Sequence, residues 1–161
     1  DRIKNFGIKN ESEITNYGIN GKMSEFNAAL GIVQLKYIDQ IIKMRKKVYN
    51  KYKALLKSNA SCRLIKIPKN ISYNYAYCAL EFFDGLRMRE KAYKHLRQNN
   101  IVTRKYWYPL ITEQNIYASS KGKNSFNNAK KISERVLFLP IYPDLKESTI
   151  VYISNLLNNI K

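Results

Sequence analysis

The chain has 161 residues, with 29 Lys and Arg, 12 Asp and Glu and a single His, which gives a formal net charge of +17 at pH 7. This length suits one domain with a hydrophobic core of its own. No apolar run reaches the roughly 18 residues needed to cross a bilayer, and the N-terminus lacks the apolar segment of a signal peptide. We therefore expect a cytoplasmic protein without membrane contact. Cys62 and Cys78 are expected to be free thiols, with a disulfide between them as the alternative.

The high positive charge has two explanations. It is typical of a polyanion-binding protein, such as one that binds nucleic acid. It is also expected from codon bias, because Lys, Asn, Ile and Tyr have A/T-rich codons and the chain is rich in all four. The basic residues are scattered along the chain rather than collected into one run, which favours codon bias. A basic nucleic-acid-binding domain remains as an alternative function.

Residues 1–23 are polar and interrupted by glycines, which predicts a loop or extended arm ahead of a domain at residues 24–161. From Ser24, a good N-cap, apolar residues recur every three or four positions to about Leu56. One helix over this range would be roughly 50 Å long at ~1.5 Å per residue, more than this domain needs for its own core. We expect one end of it to pack on another domain or subunit, so a purely structural dimerisation module is a further alternative.

The remaining pattern predicts α+β structure, with a small antiparallel three-stranded sheet covered by helices on one face. Strands are indicated by runs rich in β-branched and aromatic residues, and helices by steps of three and four between apolar residues. The predicted strands are residues 62–67, 73–83 and 101–109. The predicted helices are residues 86–99, 126–136 with Ser125 as the cap, and 147–160, while residues 112–124 are expected to be loop and residues 137–143 an apolar connector stiffened by prolines.

The sequence contains no self-contained catalytic motif. It has no HExxH, no CxxC pair, no GxSxG, no Walker A loop and no GxGxxG, so neither a metal site nor a Ser/His/Asp triad is supported. Two segments remain as candidate binding sites. In residues 17–25, Asn20 and Lys22 lie between small glycines and a helix start, which fits either an anion site or an ordinary capped helix. In residues 104–108, two cations are followed by three aromatics, which fits either stacking on a nucleotide or a strand whose rings fill the core.

Several stretches resemble one family, the DegT/DnrJ/EryC1/StrS sugar aminotransferases. They occur in the family's order and at its spacing along the whole chain. The segment before the long helix is similar to the family signature GxNx(R/K)MxE…AAxGxxQL, and two later segments are similar to its aromatic-Tyr-Pro-Leu and LPLYPxL motifs. The matching stretches are residues 18–26 (GINGKMSEF), 28–31 (AALG), 34–35 (QL), 104–110 (RKYWYPL) and 137–145 (LFLPIYPDL), with residues 5–7 (NFG) at the family's domain junction.

The resemblance implies the C-terminal small domain of a fold-type I, pyridoxal-phosphate-dependent enzyme that acts as a homodimer. Such enzymes transfer an amino group, usually from glutamate, to a nucleotide-linked keto sugar in cell-surface polysaccharide or related amino-sugar biosynthesis. The lysine that bonds to the cofactor belongs to the family's larger N-terminal domain. We therefore expect no catalytic residue and no covalently held cofactor in this chain, and we expect the chain alone to be inactive.

The resemblance also assigns residues to the site. Asn20 matches the family asparagine that reaches the cofactor phosphate of the partner subunit, and Lys22 matches a basic position that is often Arg. Since Lys cannot make a bidentate fork, the two are not equivalent. Tyr106, Trp107 and Tyr108 are expected near the sugar nucleotide. Many relatives have a His where this chain has Ile111, which leaves open which group contacts the sugar.

Overall fold

The computed structural model describes residues 3–120 and 126–160. By their internal contacts, residues 1–39 and residues 40–161 form two compact units, each treated separately below. This division concerns packing, and the predicted boundary between residues 23 and 24 stays a prediction. Within the described ranges the elements are β1 (Ile8–Asn10), β2 (Glu13–Ile14), α1 (Glu25–Leu35), α2 (Ile38–Leu55), β3 (Cys62–Leu64), β4 (Cys78–Phe82), α3 (Gly85–Gln98), two 3-10 helices (Ile111–Glu113 and Asn115–Ser120), α4 (Asn127–Ser133), β5 (Val136–Leu139) and α5 (Glu147–Asn158).

The N-terminal arm contains a short antiparallel hairpin. Ile8 pairs with Ile14 and Asn10 with Glu13. The turn is fixed by the Asn10 side chain, whose Oδ1 accepts a hydrogen bond from the Ser12 backbone N–H at 3.1 Å. Asn is favoured in turns because its side chain can replace a backbone partner in this way. The prediction of loop or extended structure for residues 1–23 is consistent with this short hairpin.

The single long helix predicted from Ser24 to about Leu56 is wrong in one respect, because it is two helices. α1 ends at Leu35 and α2 begins at Ile38. At the junction the Lys36 N–H donates to the Val33 carbonyl at 3.2 Å and the Tyr37 N–H donates to the Gln34 carbonyl at 3.0 Å. Both bonds span three residues rather than four, so the backbone tightens and the α-helical ladder stops. The expected length of roughly 50 Å at ~1.5 Å per residue therefore does not apply.

The second unit contains the predicted antiparallel sheet, in the order β3-β4-β5. Leu80 of the central strand pairs with Leu64 on one side and Leu137 on the other. Alternate residues of β4, Cys78, Leu80 and Phe82, are buried. Because side chains alternate across a strand, these residues share one face of the sheet. A single core cluster joins this face to side chains of α2, α3 and α5, including Tyr52, Leu96 and Ile153.

The fold class is confirmed, whereas the third strand was predicted in the wrong place. Residues 101–109 form no strand: only Arg104 makes a bridge, with Phe138, and the Tyr108 N–H then closes a turn onto the Lys105 carbonyl at 3.0 Å. The third strand is β5, which begins at the last residue of the predicted helix 126–136 and otherwise lies in the segment predicted as a connector. Val136–Leu139 precedes Pro140 and pairs with Cys78–Glu81, so the proline stops the strand after it has formed.

The later helices agree with the sequence pattern. α3 and α5 lie within one or two residues of the predicted ranges 86–99 and 147–160. α4 is shorter than the predicted 126–136, because Glu134 and Arg135 form a turn and Val136 already belongs to β5. The predicted cap Ser125 lies outside the described residues. No helix in residues 3–120 and 126–160 combines the length and apolarity that a membrane crossing requires.

Candidate functional site

The glycine-flanked loop is held in shape by its backbone. The Ile19 N–H donates to the Ile3 carbonyl at 2.8 Å, and the Gly21 N–H donates to the Lys4 carbonyl at 2.8 Å. A Cβ on Gly18 would lie 2.2 Å from the Gly7 nitrogen and 2.5 Å from the Phe6 carbonyl carbon. Glycine is therefore required at position 18, because any side chain would collide with backbone that cannot yield.

The two residues predicted to bind cofactor are presented by this backbone. Asn20 lies between Ile19 and Gly21, whose backbone N–H groups make the two hydrogen bonds just described. Its side chain is exposed, and the side-chain amide makes no hydrogen bond within residues 3–120 and 126–160. Lys22 is exposed, with its ammonium 5.8 Å from the centroid of the Phe6 ring. An amide donor and a cation two residues apart on a fixed loop fit an anionic group such as a phosphate.

The helix that follows the loop starts as predicted. The Asn27 N–H donates to the Ser24 hydroxyl at 3.3 Å, so Ser24 is the N-cap of α1. The cap satisfies one of the free N–H groups, and Glu25 places a carboxylate in the first turn. Since the carboxylate already complements the helix dipole, it would oppose a second anion at the helix start. Asn20 and Lys22 therefore fit an anion better than the end of α1 does.

The aromatic segment lies in the second unit, on the sheet face opposite the core. The Tyr106 ring lies 5.3 Å from Phe138 and 5.8 Å from Tyr77, both edge-on, and 4.7 Å from Trp107. The Arg104 guanidinium lies 5.7 Å from the Tyr106 ring centroid. We call these five residues the aromatic cluster. Trp107 is 70% exposed and Arg104 is exposed, so the cluster presents an indole and a cation to solvent.

A second set of contacts holds residues 104–108 against α3. The guanidinium of Arg89, on α3, is fully buried and lies 4.3 Å from the centroid of the Tyr108 ring. Glu90 is 3.1 Å from the Arg89 Nη2 and 3.1 Å from the Lys105 Nζ. The Lys105 ammonium also lies 4.1 Å from the Tyr93 ring. Tyr108 is thus directed toward α3, while Tyr106 and Trp107 face outward.

Comparison with known proteins identifies the family. The family model of the DegT/DnrJ/EryC1/StrS aminotransferases matches residues 1–158. The chain belongs to this family. The resemblance seen in the sequence motifs is therefore confirmed.

Two curated DegT-family relatives are similar over almost the whole chain. One is a dTDP-4-amino-4,6-dideoxy-D-glucose transaminase of Escherichia coli, 44% identical over 160 residues, which cover 98% of this chain and 43% of the relative. The other is a protein of the same name from Shigella dysenteriae, 31% identical over 162 residues, which cover all of this chain and 44% of the relative. The chain therefore spans less than half the length of these relatives.

A solved structure shows the same fold. The structure of DesI in the presence of its TDP-sugar product is 22% identical, has a TM-score of 0.86, and is matched over 98% of this chain and 40% of its own. The α+β small-domain architecture is thus that of DegT-family aminotransferases, enzymes that depend on pyridoxal phosphate. The expected cofactor is confirmed at the level of the family.

Several residues of the two sites were missed by sequence reasoning. Tyr77 and Phe138 join Tyr106 only through the pairing of β4 with β5, and no local pattern places them together. Arg89 did carry a signal, because it lies three residues after Leu86 and four before Tyr93, on the predicted inner edge of its helix. No group of three or more His, Cys, Asp or Glu in the described ranges is arranged to hold a metal ion.

Proposed function

We propose that the chain is the C-terminal part of a pyridoxal-phosphate-dependent aminotransferase that transfers the amino group of glutamate to a nucleotide-linked keto sugar. The observation that carries the proposal is the match of residues 1–158 to the family, with 44% identity to a dTDP-sugar transaminase over 98% of the chain. That relative's name places the product amine at C4 of a 4,6-dideoxyglucose, so a dTDP-linked 4-keto-6-deoxy sugar is the proposed acceptor. The products are then the 4-amino sugar and 2-oxoglutarate.

In this proposal the glycine-flanked loop binds the phosphate of the cofactor held by a second subunit. Its exposed Asn20 amide lacks a partner within the described part of the chain, and Lys22 supplies a positive charge beside it. Pyridoxal phosphate itself supplies the electron sink of the reaction. The loop's part is to fix the phosphate and thereby the orientation of the ring, and Gly18 permits the close backbone contact with Phe6 and Gly7 that shapes the loop.

The aromatic cluster binds the sugar nucleotide in this proposal. The exposed face of Trp107 suits stacking on a planar base or on the apolar face of a sugar ring. Arg104 lies beside Tyr106 in the same cluster and supplies a cation for phosphate. Tyr108 does not share this surface, since it is packed on Arg89. Its proposed role is to hold the segment on α3 rather than to contact the ligand.

A homodimer is supported by α1. This helix buries none of its residues, although it carries Phe26, Leu30, Val33 and Leu35. An apolar helix face of this kind is typical of a protein–protein interface. We propose that a second copy covers it, and that the enzyme works in the cytoplasm, in cell-surface polysaccharide or related biosynthesis. Two free, buried cysteines are consistent with a reducing compartment.

The test of the activity uses the complete polypeptide that contains residues 1–161. It is incubated with glutamate, pyridoxal phosphate and sugars that carry a 4-keto group on dTDP, UDP or GDP, and the 4-amino sugar and 2-oxoglutarate are quantified by mass spectrometry. The proposal expects both products in equal amounts, with dTDP preferred. Absence of amino transfer to every sugar of the panel would contradict it.

The two sites are tested separately in the same polypeptide. Asn20→Ala is expected to weaken cofactor retention about tenfold or more, because a phosphate oxygen loses its donor. Asn155→Ala, at an exposed asparagine of α5, is the matched control and should retain the cofactor. Trp107→Ala is expected to raise the KM for the sugar nucleotide about tenfold or more, with Trp107→Phe in between. An unchanged cofactor affinity in Asn20→Ala would remove Asn20 from the site.

A further inference from the structure

A second region of the structure has the form of a ligand site. A groove of about 530 Å³ lies between the C-terminal half of α2 and the segment that follows β3. Its rim carries Lys53, Lys57, Lys66 and Lys69, and we call it the lysine groove. The volume falls within the range of about 300–1,000 Å³ that is usual for small-molecule pockets. None of its lining residues belongs to the aromatic cluster.

The charge of the lysine groove is not compensated by the protein. Lys53, Lys57, Lys66 and Lys69 are exposed and form no ion pair within residues 3–120 and 126–160. Arg63, which also lines the groove, differs because its Nη2 lies 2.9 Å from Glu81. No carboxylate side chain lines the groove. Several lysines that line one concave surface raise the local concentration of anions.

The inner wall of the groove is aromatic and apolar. Tyr49 is buried, and its hydroxyl donates to the Ile65 carbonyl at 3.1 Å, which fixes the ring. The Tyr75 ring lies 5.5 Å from the Tyr49 ring, at an angle of 59°. Leu64 and Ile67 complete the wall. A ligand that fills the groove therefore needs a flat or apolar part for the wall and negative charge for the rim.

We propose that the lysine groove binds a small molecule that carries two or more phosphates on a planar aromatic group, a nucleoside diphosphate being the simplest case. The phosphates bind the lysine rim, and the aromatic group lies against the wall formed by Tyr75, Leu64 and Ile67. The two or three negative charges of the phosphates can each pair with an ammonium group of the four rim lysines. Because these lysines are exposed, no ion is left buried and unpaired. The inference does not depend on the proposed aminotransferase function, since it concerns different residues.

The experiment is isothermal titration of the full chain at low salt with three probes: adenosine diphosphate, inorganic pyrophosphate and adenosine. The test variant is Lys53→Gln/Lys66→Gln. Its matched control is Lys46→Gln/Lys94→Gln, which removes the same charge from two exposed lysines outside the groove. The diphosphate is expected to bind more tightly than either pyrophosphate or adenosine. Loss of two charge-assisted contacts should weaken it about tenfold or more in the test variant and about twofold or less in the control.

Several outcomes would overturn the proposal. Equal losses in the two double variants would show that only net charge matters, and no detectable diphosphate binding would exclude the site. Equal affinities for pyrophosphate and the diphosphate would show that the aromatic wall contributes nothing. Weaker diphosphate binding in Trp107→Ala would place the ligand at the aromatic cluster instead. Displacement of the diphosphate by a short oligothymidylate that binds far more tightly would identify single-stranded nucleic acid as the partner.

Discussion

The helix α1 and the strand β4 both carry closely spaced apolar residues, yet the structure uses them in opposite ways. β4 buries Cys78, Leu80 and Phe82 inside the second unit, where neighbouring strands and helices cover them. α1 buries none of its residues, and Phe26 and Leu30 remain 78% and 47% exposed. The pattern of β4 is thus explained by this chain's own core. The apolar pattern of α1 has no such explanation within residues 3–120 and 126–160.

The largest expected difference between the two regions is in stability. Leu80→Ala should lower the free energy of unfolding by about 3 kcal/mol, because it removes a fully buried side chain and leaves a cavity. Leu30→Ala, the same substitution on α1, should cost less than about 1 kcal/mol. Urea unfolding followed by far-ultraviolet circular dichroism measures both. If the two variants lost the same stability, α1 would belong to a core and the comparison would fail.

The next effect concerns what covers α1. Phe26→Asp should weaken self-association about a hundredfold, since an aromatic side chain at the centre of an interface contributes strongly to binding. Phe126→Asp is the control, because Phe126 is also exposed, at 54%, but lies outside α1. Sedimentation velocity over a range of concentrations gives the dimer constants. A wild-type chain that remains monomeric throughout would show that this face does not pair with a second copy.

Breaking an ion pair should also cost more folding stability in the second unit than in the first. Glu90 is the carboxylate partner of the fully buried Arg89 and of Lys105. Glu90→Gln should therefore cost about 2 kcal/mol, since it leaves a buried guanidinium without its counter-ion. Glu13 pairs with Lys9 on the surface of the arm, where both side chains are 45% exposed. Glu13→Gln should cost less than about 0.5 kcal/mol, as is usual for exposed pairs. Equal costs in urea unfolding would contradict the support assigned to Arg89.

The smallest effect is alkaline destabilisation of the second unit. Burial raises the pKa of the Cys62 and Cys78 thiols from 9.0 to about 12. The folded state therefore keeps both protons at a pH at which the unfolded chain releases them, so stability falls as the pH rises above about 9. Between about pH 8 and about pH 10 each thiol should account for a loss of about 1 kcal/mol.

The alkaline effect is measured as the change in unfolding free energy with pH. Cys62→Ala is the comparison variant, and its stability should fall less steeply with pH than that of the wild type. A parallel pH profile in the two proteins would contradict the assignment to the buried thiol.

Sequence reasoning succeeded where one local pattern decides the structure. α3 and α5 were predicted because their apolar residues recur at helical spacing, and Ser24 because its hydroxyl suits an N-cap. It failed where distant pairing decides. Residues 101–109 have a strand-like composition, but only Arg104 finds a partner. Val136–Leu139 forms the strand because β4 offers it four paired positions. The interruption at Lys36 and Tyr37 was also missed, since neither residue is a helix breaker.

The sites show the same division. Asn20 and Lys22 were predicted as site residues from a contiguous motif, and the structure presents both on an exposed loop, while their binding role stays a prediction. Tyr106 and Trp107 were also predicted as site residues, but their neighbours are distant in the sequence, Tyr77 just before β4 and Phe138 in β5. Arg89 was overlooked because a charged residue is expected at the surface of an amphipathic helix, whereas here its guanidinium is buried beneath Tyr108.

The exposure of Trp107 has a practical consequence for spectroscopy. It is the single tryptophan of the sequence and is 70% exposed at the aromatic cluster. An indole in such a position emits from a largely aqueous environment even in the native state, so its fluorescence should change less on unfolding than that of a buried indole. The same indole is then a built-in optical reporter of ligands at the cluster. Intrinsic fluorescence should accordingly follow occupancy of this site, while circular dichroism follows the integrity of the sheet.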